Sequence, residues 1–312
     1  MMFFHRHGGV RRLLGRDVRG TASQVRKMAT GRSAAGVGSV SEANAYCQDL
    51  VRKHDYEAYL CSYFYPRAAQ PGYFALRAFN GNDVKAYNRQ NEDAVLERCN
   101  QDNPTRHPIA ISLYAASQQS KLPAYYLKRM VDARDEDLDR ESHMTLEGVT
   151  QYAESTSSTL LYLLLSLLHQ GHSETFAHAA SHVGIAHSFA TLLRALPFHA
   201  SKRRLVIPAD ITSKHGVRHE EVFRLGGDAK GIDDAVFEFA TVANDHILTA
   251  RDTFKESRVP SEAMPVFLTA VPVVSFLSRL EEANFDAFAP QLQMRSWKLP
   301  FSIWRASRTR KF

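Results

Sequence analysis

Two kinds of side chain in this sequence stand at spacings that chemistry can use. The first is the run Asp132-Ala133-Arg134-Asp135-Glu136-Asp137-Leu138-Asp139, in which Asp132 and Glu136, and Asp135 and Asp139, are four residues apart. On a helix such pairs share a face, and two such faces opposed can hold Mg²⁺ ions that bridge to diphosphate oxygens. Only this one segment is acid-dense, and Arg134 and Arg140 interrupt it, so a solvated, charge-laced helix end is the competing reading. The second is the pair His178 and His182, also four apart, with His169, His172 and His187 nearby. A shared metal needs further ligands, and none stands at a suitable spacing. The three cysteines, Cys47, Cys61 and Cys99, are widely spaced and form no C-x-x-C, which fits buried thiols in a reducing compartment. Nucleotide-binding glycine loops, a nucleophile elbow and H-E-x-x-H are all missing, so nucleotide hydrolysis, dinucleotide redox chemistry and zinc proteolysis have no support.

The elements that must position these groups read as helices. Apolar residues recur at helical spacing over 42–60, 72–88, Pro108–Leu122, Leu122–Val131, Thr145–Leu168, 173–196, 218–226, 231–256 and 260–283. Asp102-Asn103-Pro104 is a turn signal, and Ser142–Leu146 with Glu147 supplies a helix start. Arg204–Ile207 is the one short strand candidate. Leu160–Leu168 is apolar on nearly all sides but about half the ~20 residues that span a bilayer, so it reads as a buried core helix and no transmembrane helix is expected. The expected fold is all-α, with one helical domain over 41–290.

Charge separates the ends from this body. Residues 1–40 hold eight basic residues and one acid, 295–312 hold six basic residues and no acid, and 41–294 carry a net −7. The overall +6 therefore does not describe a basic core, and a nucleic-acid partner is not expected. Residues 1–40 are Arg-rich, nearly acid-free and rich in small residues, the composition of a mitochondrial transit peptide, with Arg26–Ala29 a plausible processing region. Residues 291–312 form a basic aromatic tail. In it Trp297, Lys298, Phe301, Trp304, Arg305 and Arg308 interleave rings and cations, a combination suited to the headgroup region of an anionic membrane or to a docking surface. The alternative is that the rings pack on the domain.

Three blocks, "GYFALRAFN" (72–80), "YLKRMVDARDEDLDRESHMTLEGVTQYAESTSSTLLYLLL" (126–165) and "GIAHSFATLLRALPFHASKRRLVIPADI" (184–211), resemble the squalene/phytoene synthase superfamily over roughly 42–285. That resemblance implies a single-domain isoprenoid-synthase-like helical fold. It also implies a Mg²⁺-dependent condensation of prenyl diphosphates driven by two aspartate-rich helices. This sequence departs from the pattern at those aspartates. Positions of the first motif read Val84, Lys85 and Asn88, with Asp83 out of step. In the second, Thr191 replaces an Asn, Arg194 is retained, and the two acids become Ala195 and His199. Arg203, Arg204, Leu205 and Pro208 keep a downstream basic–Leu–Pro signature.

Without carboxylates there is no metal to neutralise the departing diphosphate, and its ionisation loses its main electrostatic support. The expectation is a non-catalytic protein with no catalytic residue, metal or cofactor. Together with the N-terminal composition, the pattern is similar to the mitochondrial complex I assembly factor branch of the superfamily. That branch implies work on the matrix side of the inner membrane in early membrane-arm assembly. Its implied partners are complex I subunits or other assembly factors, with a lipid in the vestigial cavity between 72–88 and 184–199 as a further candidate. The competing expectation is an active prenyl-diphosphate transferase or an isoprenoid-binding protein of mitochondria.

Overall fold

A computed structural model describes residues 39–81, 107–138, 144–254 and 258–312. Residues 1–38 of the transit-peptide reading of 1–40, the first-motif positions Val84, Lys85 and Asn88, and the 102–104 turn fall outside them, as does Cys99. Helices account for all the regular structure among the described residues.

The first stretch, expected as one helix, is two. Val40–His54 (α1) starts at Ser39, whose hydroxyl accepts from the Glu42 amide at 3.2 Å. It stops at Asp55, whose carboxylate caps Tyr56–Ser62 (α2) through the Ala58 amide at 3.1 Å. Gln70–Gly81 (α3) and Pro108–Gln119 (α4) pack with α1 as one group, burying Cys47, Val51, Leu76, Ile109 and Leu113. Ala124–Leu138 (α5) lies against the most apolar stretch of the chain.

That stretch is continuous: Leu146–Ala153 (α6), a π-helical turn Glu154–Ser158, and Thr159–Leu167 (α7). Thr145 caps it through the Gly148 amide at 3.1 Å. The π turn lodges an extra residue where Glu174–Ser201 (α8) crosses it. Any side chain at Gly184 would overlap the Ser158 backbone, so only glycine permits this approach. Ser158 Oγ donates to the Ser181 carbonyl at 2.8 Å across the crossing. Six leucines of Leu160–Leu167 are buried, as their all-round apolarity predicts.

Periodicity ends α8 before Pro197, yet the helix runs through it to Ser201, because Leu196 and Ala200 are buried and hold the last turn. Arg203, at φ 60°, then reverses the chain. Arg204–Ile207 is not a strand. It carries no regular structure, its apolar character explained by the burial of Leu205, Val206 and Ile207. Two short helices, Ala209–Lys214 (α9) and His219–Leu225 (α10), lead to Ile232–Asp252 (α11), which makes the largest helix–helix interface of the fold with α8.

The 260–283 stretch is broken at Leu268-Thr269 into Met264–Phe267 (α12) and Ala270–Glu282 (α13). Met264–Glu282 passes the length and apolarity test for crossing a membrane, but 67% of its apolar window is buried inside the protein, as a core helix would be. The C-terminal segment carries a helix that periodicity over the body did not reveal, Leu299–Thr309 (α14), seated on α13 through Leu299, Ile303 and Ala306.

Candidate functional site

The face of α8 that carries the second-motif positions bears Thr191, Ala195 and His199, with Arg194 beside them. The Thr191 hydroxyl donates back to the His187 carbonyl of its own helix at 2.8 Å, and Ala195 offers no ligand atom. Arg194 bonds Glu57 of α2 at 2.8 Å and lies 5.9 Å from the Phe276 ring centroid. The half-buried His199 imidazole is pushed below its usual range by burial and by the neighbouring Arg204, with Asp137 opposing. Arg204, from the retained basic–Leu–Pro stretch, bonds Asp137 at 3.1 Å.

Next to this face is an ionic centre. Arg77 of α3 is 4% exposed inside the otherwise apolar run Tyr73–Phe79. Its guanidinium donates to Thr269 Oγ1 at 3.0 Å, reaches Asp55 at 3.7 Å and lies 5.7 Å from the Tyr73 ring centroid. Tyr73 donates to the Ala58 carbonyl at 2.8 Å and stands 4.3 Å, ring to ring, from Tyr65. Burial pushes both phenols well above the usual tyrosine range. His187 of α8 faces the same centre: burial, then Arg77, with Arg194 adding and Asp55 opposing, lower its imidazole to about 4, so it is neutral at physiological pH. Tyr65 Oη and Arg77 Nε find no partner.

This arrangement does not suit Mg²⁺, which demands near-octahedral oxygen ligation from carboxylates and water. Where the family resemblance places acids on α8 there are a methyl group and an imidazole, and the two carboxylates nearby, Asp55 and Glu57, are paired with Arg77 and Arg194. No group of three His, Cys, Asp or Glu among the described residues is placed to hold a metal. Two small cavities, of about 80 and 260 Å³, reach α8 at Arg194; α2 and the 292–299 segment line both, and no α3 residue does.

The acidic stretch on α5 is not simply a solvated helix end. Lys128 and Asp132 pair at 3.3 Å on the surface, but Arg134 turns inward to the Asn80 side chain at 2.6 Å, and Asp137 is held by Arg204. The charges there tie α5 to α3 and to the stretch after α8. His178 and His182 are joined by an unforeseen third ring: His182 Nδ1 lies 2.7 Å from His246 Nδ1 on α11. Their neighbour Glu154 accepts from Tyr162 Oη at 2.5 Å and Ser181 Oγ at 2.6 Å. Cys47 and Cys61 are buried in the core, where burial raises both thiols to about 12.

At the C-terminus, Trp297, Phe301 and Trp304 stand 84%, 64% and 51% exposed. Phe301 and Trp304 stack at 5.6 Å, and Lys298 lies 5.7 Å from the Trp297 ring. The apolar residues that pack on the domain are instead Leu299, Ile303 and Ala306, so α14 has a seated face and an open aromatic one. Arg305 and Arg308 are exposed beside the open face.

The pattern of the squalene/phytoene synthase family matches residues 51–305. This chain belongs to that family. Its fold agrees with a dehydrosqualene synthase, at a TM-score of 0.75 and 15% identity over 86% of this chain and 96% of that one. A squalene synthase from Alicyclobacillus acidocaldarius superposes with a TM-score of 0.68 and 16% identity, covering 81% of this chain and 99% of that one. These similarities concern the fold. Much higher sequence identity is found with proteins named NADH dehydrogenase (ubiquinone) complex I, assembly factor 6. The Rattus norvegicus protein is 35% identical over 93% of this chain and 88% of its own length. The Homo sapiens protein is 36% identical over 83% and 80%. A Drosophila melanogaster protein named as a homolog of the same factor is 32% identical over 86% and 84%.

Sequence reasoning did not single out Asp55, Glu57 or Arg77, which the fold brings beside the α8 positions. An arginine at the centre of "YFALRAF" was an available signal, because a lone cation in an apolar helical run needs a buried partner.

Proposed function

We propose that this protein is a mitochondrial assembly factor for respiratory complex I, a non-catalytic member of the squalene/phytoene synthase family. The observation that carries the reading is identity of about a third, over most of both chains, with proteins named as that factor. The chemistry of α8 supports the non-catalytic part. Where a diphosphate-ionising site needs acids to hold metal, this chain has Ala195 and His199, and its one retained cation, Arg194, is engaged by Glu57. The lost acids of the first motif, at Val84, Lys85 and Asn88, complete this reading.

In this reading the working surface is outside the protein. It acts on the matrix side of the inner membrane, contacting complex I subunits or other assembly factors. The open face of α14, with Trp297, Lys298, Phe301, Trp304, Arg305 and Arg308, meets the bilayer headgroups. Aromatic rings settle in that layer, and each Lys or Arg near an anionic surface contributes ~1 kcal/mol. Two measurements test the two halves. Complexome profiling with and without the protein should show loss of assembled complex I and build-up of an early membrane-arm intermediate; intact complex I rejects the assembly role. Incubation with farnesyl or geranylgeranyl diphosphate and Mg²⁺ should release no diphosphate; sustained release abolished by Asp135→Ala rejects the non-catalytic reading.

A further inference from the structure

The flank of α14 borders an open groove of about 840 Å³, walled by α13, the end of α11 and residues 291–298. Six cations line it: Arg251, Arg279, Arg295, Lys298, Arg305 and Lys311. Glu282 is the one acidic side chain on its walls. Two of the cations are occupied, Arg251 with the Phe312 main-chain oxygen at 2.6 Å and Arg279 with the Gln291 carbonyl. The other four are exposed and make no ion pair with any described residue, although Arg295 lies over the Tyr56 ring at 4.5 Å and Lys298 over the Trp297 ring at 5.7 Å, which leaves Arg305 and Lys311 as the least engaged. Between them the floor is mixed, with Ser275 and Ser278 hydroxyls beside Val271 and Val274. An excess of unpaired cations over a partly apolar floor suits a phosphate that carries an apolar substituent better than a small inorganic ion.

The helix itself relates this groove to the aromatic face. With Leu299, Ile303 and Ala306 seated, helical periodicity puts Phe301, Trp304 and Arg308 on the crest and Lys298, Ser302, Arg305 and Thr309 on the groove flank. A crest lying in the headgroup layer therefore brings the groove mouth to the depth of lipid phosphates.

We propose that the groove between α13 and α14 binds the phosphate headgroup of a single anionic phospholipid, with its glycerol end over the Val271–Val274 floor. The proposal rests on the membrane-surface reading of α14, and its test separates the two. The full-length protein is titrated with dihexanoylphosphatidylglycerol below its micelle concentration, with dihexanoylphosphatidylcholine and inorganic phosphate as comparisons. Pelleting with phosphatidylcholine vesicles, with or without cardiolipin, is measured in parallel. Two charge-matched variants, R305Q/K311Q in the groove and R308Q/R310Q outside it, are compared with F301S/W304S on the crest; all replace exposed or partly exposed residues, and thermal melts verify folding.

The expected result is one saturable equivalent of the short phosphatidylglycerol, weakened about tenfold or more by R305Q/K311Q and less than twofold by R308Q/R310Q. Equal losses in the two charge-matched variants would mean general electrostatic attraction and overturn the site. Inorganic phosphate competing as well as the lipid would make it a free-anion site and overturn the lipid assignment. If F301S/W304S abolishes vesicle pelleting while R305Q/K311Q changes neither assay, the surface reading stands and the groove proposal falls. If the wild-type protein pellets with no vesicle, the surface reading itself fails.

Discussion

The centre around Arg77 and the flank of α14 are both rich in cations, and they use them in opposite ways. The buried Arg77 has Thr269 and Asp55, and the partly exposed Arg194 and Arg204 have Glu57 and Asp137, so each guanidinium is neutralised or hydrogen-bonded within the protein. At the C-terminal flank Arg295, Lys298, Arg305 and Lys311 face outward with one carboxylate, Glu282, among them. A cation left unpaired in the interior carries a heavy desolvation cost, whereas one at the surface carries almost none. The buried charge is thus committed to holding the fold, whereas the groove cations make no ion pair, unlike the exposed Lys128, Arg203, Lys214 and Arg218, which do.

The comparison breaks most visibly at Arg77. Arg77→Ala leaves a cavity between α3 and α13's N-terminal turn and strands Thr269, and should cost about 3 kcal/mol in chemical denaturation. Arg77→Met, which keeps most of the volume, should recover part of that loss. A change below about 0.5 kcal/mol for Arg77→Ala would show that the interior cations are not structural. Gly184→Ala should rank next. It forces α8 away from the Ser158 backbone, an overpacking cost of about 1–3 kcal/mol read as a lower unfolding midpoint.

Acid should expose the same interior. His187 is neutral in the fold down to about pH 4, whereas in the unfolded chain it takes up a proton near pH 6.5. The unfolded state therefore binds more protons between those values, and stability falls as pH drops from about 6.5 to about 4. His107, His182, His199 and His246 are shifted in the same direction by burial and add to the slope. His187→Gln should flatten the slope in that window without abolishing it. An unchanged pH dependence of the unfolding free energy would show that the fold does not hold His187 neutral.

How legible these regions were in the sequence differs for physical reasons. α11 could be read because its burial is written at a fixed period, and the Leu160–Leu167 stretch because it is apolar on nearly all sides. Their breaks were harder. Asp55 divides α1 from α2 by offering its carboxylate to a backbone amide, which periodicity does not record. Arg204–Ile207 mimics a strand because buried extended chain and buried strand have the same apolar composition. That Thr191, Ala195 and His199 share one face of α8 follows from their spacing of four. Arg77's pairing with Asp55 and Thr269 was not legible, since those partners lie 22 and 192 residues away and meet only when α2, α3 and the α12–α13 turn pack. The groove is similar: Arg251, Arg279 and Arg305 come from three helices, and only Arg305 belongs to the tail in which cations and rings are interleaved.

The smallest expected effect on stability tests the surface half of the comparison. Trp304 and Phe301 stack on each other but stand mostly in water, while Ile303 between them is fully buried against α13. Removing an exposed ring takes away little buried area, so Trp304→Ser and Phe301→Ser should each change unfolding free energy by no more than about 0.5 kcal/mol. Ile303→Ala, on the same helix, should cost about 2–5 kcal/mol through lost transfer energy and an unfilled cavity. Rings that contribute little to the stability of their own fold leave apolar area exposed and available to an external surface. If instead Trp304→Ser destabilises as much as Ile303→Ala, the ring is part of the core of α14 and the outward-facing role assigned to this face is wrong.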